Sequence, residues 1–329
     1  MQRDHRIDSL KGLLIILVIL GHVIIEIDNI NIINHAVMGG IYVFHMPLFI
    51  LISGYLTRPY HELSQRHLWK GVGNLLVTIV IFQVLSMLRH LPQGKDPIAM
   101  LLEFPYGILW YLMSLIYWRL IIYYTPQWLL KRPVAYLSLA FLLSILSGLT
   151  HLGNFLAIQR TLNFYPFFLL GYYYKQGVIS DRWWKNYPLH AAVAFVTLPL
   201  IFWLYPHCGN VLNGADHYTL SGIPQKVLTL ITSTATSLLV FNMVGDFKWL
   251  RPIGKDSLFY YLYHIYLLMI IVAPAVERYN LPHSLPFMLL YTAIILGILL
   301  LMHKVKFFRW LTNPLKSHHG TKSQSTASS

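Results

Sequence analysis

The sequence predicts an all-α integral membrane protein: one bundle of about ten transmembrane helices with both termini in the cytoplasm. Three observations predict it. Of the 329 residues, 56% are hydrophobic and 11% charged, with a mean hydropathy of +0.54, whereas soluble domains carry roughly 25% charged residues. A bilayer core needs about 20 apolar residues per helix, and about ten such stretches recur between short polar breaks. The basic residues also alternate by side along the chain.

The first span is placed at residues 12–26. It is not a cleavable signal, because no small-residue cleavage site follows it and Glu26 and Asp28 end it, so it is expected in the mature chain. The second, 36–57, contains Pro47, which removes a helix hydrogen bond and permits a kink, and Ser53-Gly54, small enough for close helix packing. The third runs over 71–88, between Lys70 and Arg89, and the fourth over 107–124. The fifth, 134–149, follows Lys131 and Arg132; the sixth, 162–174, lies between Arg160 and Lys175. The seventh, 189–205, follows Arg182 and Lys185, and the eighth, 227–244, precedes Lys248. The ninth, 257–273, opens at Asp256-Ser257, read as a helix N-cap, and the tenth, 285–302, stops before Lys304. Residues 1–316 form the transmembrane domain; 317–329, polar and Ser/Thr-rich, read as a disordered cytoplasmic tail.

With the N-terminus inside, most Lys and Arg fall on one face, and Arg89, Lys95, Arg160, Lys226 and Arg278 fall on the other. The positive-inside rule then places both termini in the cytoplasm. The net charge of +13 is therefore read as a membrane signature, with lipids and not nucleic acid as the partner. The single cysteine, Cys208, sits in an outward loop, 206–225, and has no partner for an intrachain disulfide. That loop is read as solvated, or as a roof over an acceptor site.

An ionisable group inside a span is a functional signal, and His22 is one. It follows Lys11 by eleven residues, which is about 16 Å and close to three helical turns, so both side chains share a helix face. Lys11 marks the inner rim. Glu26, one turn beyond His22, either orients the ring as a triad carboxylate does or simply ends the helix. The second span runs the opposite way, so His45 is expected near the depth of His22, and Arg58 beside Lys11 at the cytoplasmic rim.

Lys11 and His22 match a basic-x10-His pattern, and residues 44–58, FHMPLFILISGYLTR, a second-helix signature. Trp110-Tyr111, the aromatic run 164–172 and IGKDSLFYYLYH at 253–264 follow in order. With these motifs the chain resembles the membrane acyltransferase 3 family, especially its fucose 4-O-acetylase-like branch, over nearly its whole length. The resemblance implies a ten-helix O-acyltransferase, most often an O-acetyltransferase, in a bacterial-type inner membrane. It implies cytoplasmic acetyl-CoA or another acyl-CoA as co-substrate, no permanently bound cofactor, and a carbohydrate or lipid-linked glycan as acceptor. The family's catalytic histidine carries onto His22, its first-helix basic position onto Lys11 and its second-helix arginine onto Arg58. The chain departs from the commoner arginine with lysine at position 11, a point charge without the bidentate fork. It shows no counterpart of the extracellular hydrolase-like domain fused to some members.

Elementary chemistry fits that role. A sugar hydroxyl is a weak nucleophile, and an imidazole in hydrogen-bond reach can take its proton as it attacks a thioester; an acyl-histidine relay would use the same residue. His45, Tyr260 or His264 could donate to the tetrahedral oxyanion. Lys11, Arg58, Arg66, Lys70 and Lys255 are candidates for the phosphates of CoA, with Arg66 and Lys70 also explained by anionic lipid. Arg160, on the outer side, is a candidate for the acceptor, as are His264 and the aromatic faces of Trp110 and Tyr111, although aromatics also belong at membrane interfaces. No metal-ligand spacing or nucleotide-binding glycine motif is present. Two rival readings use the same residues: a proton-coupled transporter of an organic anion, with His22 and Glu26 as the relay, and a silent helper of envelope assembly.

Overall fold

In hydrocarbon every backbone N–H and C=O must find its partner within the protein, and the apolar runs do so as helices. The computed structural model describes residues 4–27, 32–59, 62, 64–91, 96–204, 214 and 217–315, and among these no strand forms. The long helices are α1 (His5–Ile27), α2 (Ile32–Tyr55), α3 (Gln65–His90), α4 (Trp110–Tyr124), α5 (Pro133–Ser147), α6 (Ile158–Lys175), α7 (Tyr187–Leu204), α8 (Ile223–Met243), α9 (Ser257–Leu267) and α10 (Leu285–Met302). α9 continues through a π turn, Leu268–Val272, into Ala273–Arg278.

Each stretch read from the sequence falls on a helix, but the helices are not equivalent. Seven segments are long and apolar enough to cross a membrane: α1, α2, α3, Gly107–Tyr124, Leu220–Met243, Ser257–Arg278 and α10. Pro133–Ser147 and Tyr187–Leu200 are shorter apolar helices, and α6 begins with Gln159, Arg160 and Asn163, which dilute its hydropathy.

Two reciprocal glycine contacts set the packing. A Cβ on Gly54 of α2 would run into the carbonyl of Phe168 on α6, and one on Gly171 of α6 into the carbonyl of Leu51 on α2. Gly12 likewise faces the carbonyl of Leu250, and Gly254 that of Asp8. The small-residue reading of Ser53-Gly54 therefore holds, and α2 stays helical through Pro47.

The first and last described segments lie at one end of the bundle, the near end. Ser9 bonds the backbone N–H of Phe247 (2.9 Å) and Asp246 Oδ1 (3.2 Å), and Asn74 of α3 donates to Asn313 (3.2 Å). Asp246 also receives a bidentate Arg251 guanidinium. The hydrogen bonds from Arg251 hold the Asp246 carboxyl below its ordinary range. At the opposite, far end, Tyr218 donates to the carbonyl of Ile145 (2.5 Å), and burial pushes its hydroxyl up to about 12.

Two expectations need correction or restriction. Asp256 precedes α9 but makes no side-chain cap bond; its carboxylate is taken by His303 Nε2 at 3.0 Å. The 206–225 segment is helical from Leu220 onward, first as the turn Leu220–Gly222 and then as α8. Cys208 and the 317–329 tail lie outside the described residues.

Candidate active site

His22 sits on the inward face of α1, and its Nδ1 lies 2.9 Å from the carbonyl of Val18. A carbonyl only accepts, so Nδ1 carries the hydrogen and Nε2 is left as the basic atom. The same back-bond recurs in His45 to Ile41 (2.9 Å) and in His264 to Tyr260 (3.2 Å). His264 is fully enclosed, and its ring meets that of His22 with centroids 5.0 Å apart and planes tilted by 57°.

His22 opens on a far-end cavity of about 380 Å³. Glu26, Arg89, Glu103, Trp110, Asn154 and Arg160 contribute its polar and aromatic wall. The Arg160 guanidinium lies over the Trp110 ring, 5.2 Å from its centroid, and Phe164 stacks on the same indole at 5.4 Å. Such a wall offers hydrogen-bond donors and acceptors, with the aromatic rings of Tyr106 and Trp110 beside them.

At the near end lie two adjoining cavities. One, of about 320 Å³, is lined by Lys11, Ser53, Asn74, Tyr111, Arg119, Tyr261 and Asn313 among others. The other, of about 210 Å³, is lined by Arg58, His67 and Arg119 and shares Leu56 and Gly71 with its neighbour.

Between the two ends stands a tyrosine partition. Tyr111 bonds Ser53 Oγ at 2.7 Å, Tyr261 donates to the carbonyl of Ile108 at 2.6 Å, and the two rings meet edge to face at 5.4 Å. His264 follows Tyr261 on the same helix, with ring centroids 6.1 Å apart. His22 lines the far-end cavity and not the near-end ones.

The structure thus sorts the sequence-predicted residues into groups. His22, Glu26, Trp110 and Arg160 share the far-end cavity, with His264 directly behind His22. Lys11 and Tyr111 share the near-end cavity, and Arg58 the one beside it. Tyr111 therefore stands apart from Trp110, because neighbouring residues on a helix point about 100° from each other. His45 is buried against Tyr42, with centroids 4.7 Å apart, and the imidazole that meets His22 is His264 instead. Glu26 is exposed and forms no hydrogen bond to the ring, whose Nδ1 lies against the Val18 carbonyl and His264 Nε2 instead. Lys255 is exposed at the end of the short helix Arg251–Lys255.

The model of the Acyltransferase domain family matches residues 4–303. The chain belongs to this acyltransferase family. A segment of 82 residues, 24% of this chain, is 39% identical to the Nodulation protein NolL of Sinorhizobium fredii (strain NBRC 101917 / NGR234), and the match spans 22% of that relative's length. No solved structure matches the chain. The matched range covers every residue that lines the three cavities except Asn313.

Sequence reading left several lining residues of this family member without a role. Arg119 was grouped with the inner-face charges, yet it lies within an apolar helix, a signal that marks functional groups in membranes. Arg89, Glu103 and Asn154 come from helix ends and loops that no local pattern joins. A buried Lys226 on α8 contacts Asn163 of α6, away from both cavity systems.

Proposed function

We propose that the protein is an integral-membrane O-acyltransferase that moves an acetyl or similar acyl group from cytoplasmic acyl-CoA to a hydroxyl of an envelope carbohydrate. In this reading the chain crosses a bacterial-type inner membrane about ten times, α5, α6 and α7 included. The near end, with both termini, faces the cytoplasm. The carrying observation is the ring of His22, tied through Nδ1 and open at the far-end cavity, in a chain of the acyltransferase family.

The acceptor hydroxyl lies in the far-end cavity against Nε2 of His22. As the oxygen attacks the thioester carbonyl, Nε2 takes its proton. The tetrahedral intermediate collapses by breaking the C–S bond, and the leaving thiolate recovers the proton from the imidazolium. The Nδ1–H, held by the Val18 carbonyl with His264 Nε2 nearby, keeps the ring aimed throughout. The thioester arrives from the near-end cavity, so the tyrosine partition of Tyr111 and Tyr261 opens or deforms to admit its acyl end. Lys11 and Arg58 line the cytoplasmic approach. Membership of an acyltransferase family favours transfer over transport.

The test is the purified protein in lipid vesicles, supplied with radiolabelled acetyl-CoA and a bacterial envelope-glycan fraction. Wild-type protein is expected to label glycan, and His22→Ala to lose about 10²–10⁴-fold in rate, the range of one general base. Equal labelling by the two proteins overturns the role of His22. CoA-independent solute uptake without any labelling overturns the reaction itself.

A further inference from the structure

Arg119 is the one cation common to both near-end cavities, standing with Lys11 in one and with Arg58 in the other. It lies on α4, within a segment apolar enough to cross a membrane. A charge is kept in such a place for a ligand or a counter-ion. Among the described residues no carboxylate pairs with it. Besides Lys11 and apolar side chains, the larger cavity is lined by neutral hydrogen-bonding groups: Ser53, Asn74, Tyr111, Ser257, Tyr261 and Asn313.

Spacing along α4 gives the ligand a shape. Tyr111, at the partition, precedes Arg119 by eight residues, so the two lie about 12 Å apart along the axis, and both line the larger cavity. An anion held at Arg119 therefore has a cavity of mixed polar and apolar lining, about that long, between itself and the partition. A phosphorylated molecule with an extended, amide-bearing arm ending in its reactive group fits this layout. A guanidinium, with five donors in a planar fork, is suited to phosphoryl oxygens.

Resting on the donor reading above, we propose that Arg119 is the anchor for a phosphoryl group of the acyl-CoA donor, setting the depth to which the pantetheine arm reaches. Lys11 and Arg58, on either side of it, hold the remaining anionic charge. The residue binds and does not take part in proton transfer.

The test compares CoA with pantetheine, which keeps the arm and lacks every phosphate, by equilibrium binding to the reconstituted protein. Arg119→Gln is expected to weaken CoA at least tenfold and leave pantetheine unchanged; Arg119→Lys, retaining charge without the fork, is expected to fall between. His22→Ala is expected to bind both as the wild type does. An equal loss for CoA and pantetheine assigns Arg119 a structural role and overturns the proposal, as does unchanged CoA binding. Wild-type protein that binds CoA but transfers no acetyl group from it overturns the donor reading while the Arg119 comparison still stands or falls on binding. Wild-type protein that does not bind CoA overturns both. Thermal unfolding of each variant identifies any that fails to fold, and Arg119→Lys then carries the comparison.

Discussion

The Nε2 atom of His264 lies 3.4 Å from Nδ1 of His22, across 242 residues of sequence. Because His264 gives its own Nδ1–H to the carbonyl of Tyr260, its Nε2 faces His22 as an acceptor. His22 Nδ1–H is thus flanked by two acceptors, a carbonyl at 2.9 Å and an imidazole farther off. The arrangement resembles the orienting partner of a catalytic triad with a neutral ring in place of the carboxylate.

Replacing His264 with Phe keeps an aromatic ring and removes the acceptor. The expected result is a kcat lower by about 10- to 100-fold, the cost of a misaimed catalytic group, with the KM for acetyl-CoA unchanged. His264→Gln, which restores an acceptor near the Nε2 position, is expected to recover part of the loss. Steady-state kinetics on reconstituted protein check this; a kcat unchanged in His264→Phe removes the orienting role.

Arg160 is expected to act on the acceptor alone, since it lines the far-end cavity with His22 and not the near-end ones. A charged hydrogen bond contributes about 1.5–3 kcal/mol, or roughly 10- to 100-fold in affinity. Arg160→Ala should raise the apparent KM for the glycan fraction by that factor and leave the KM for acetyl-CoA as it was. A matching rise in both would assign Arg160 to the scaffold.

Gly54 faces the backbone of Phe168, which has no flexible end to move aside. Gly54→Leu must therefore separate α2 from α6, and overpacking of this kind costs about 1–3 kcal/mol. A lower unfolding temperature in detergent, with Gly40→Leu as the control, checks it, because a Cβ at Gly40 meets nothing within 4 Å.

Asp246 gives a pH dependence with a defined sign. Its carboxyl is held below the usual carboxylate range, first by the hydrogen bond from Arg251. Its contribution to stability is complete above the unfolded value of about 3.9 and fades as pH falls through the lower folded value. Wild type should therefore unfold at a higher temperature than Asp246→Asn at neutral pH, and the two curves should converge on acidification. Parallel curves down to pH 3 would show that the carboxylate is not held in this way.

Much of this was legible in the chain. Apolar length located the helices, and the eleven-residue step from Lys11 to His22 placed a cation and an imidazole on one face at different depths, as the cavities now show. What stayed hidden depends on tertiary contact. No local pattern brings His264 to His22, and helices α1 and α2 gave His45 as the more natural neighbour. Trp110 and Tyr111 read as one aromatic pair, yet rotation about α4 sends them to opposite ends of the site. Asp256 had the sequence of an N-cap, but His303 competes for its carboxylate.

The interlocked glycines of α2 and α6 carry a mechanical implication. The backbone of Phe168 at Gly54, and those of Leu51 and Tyr55 at Gly171, leave no slack between the helices, so α2 and α6 behave as one stiff spar. Ser53 and Leu56 ride toward its near end and Arg160 toward the far end. If the tyrosine partition opens as proposed, α4 or α9 must swing past this spar, which holds the near-end and far-end cavities at a fixed separation while the wall between them moves.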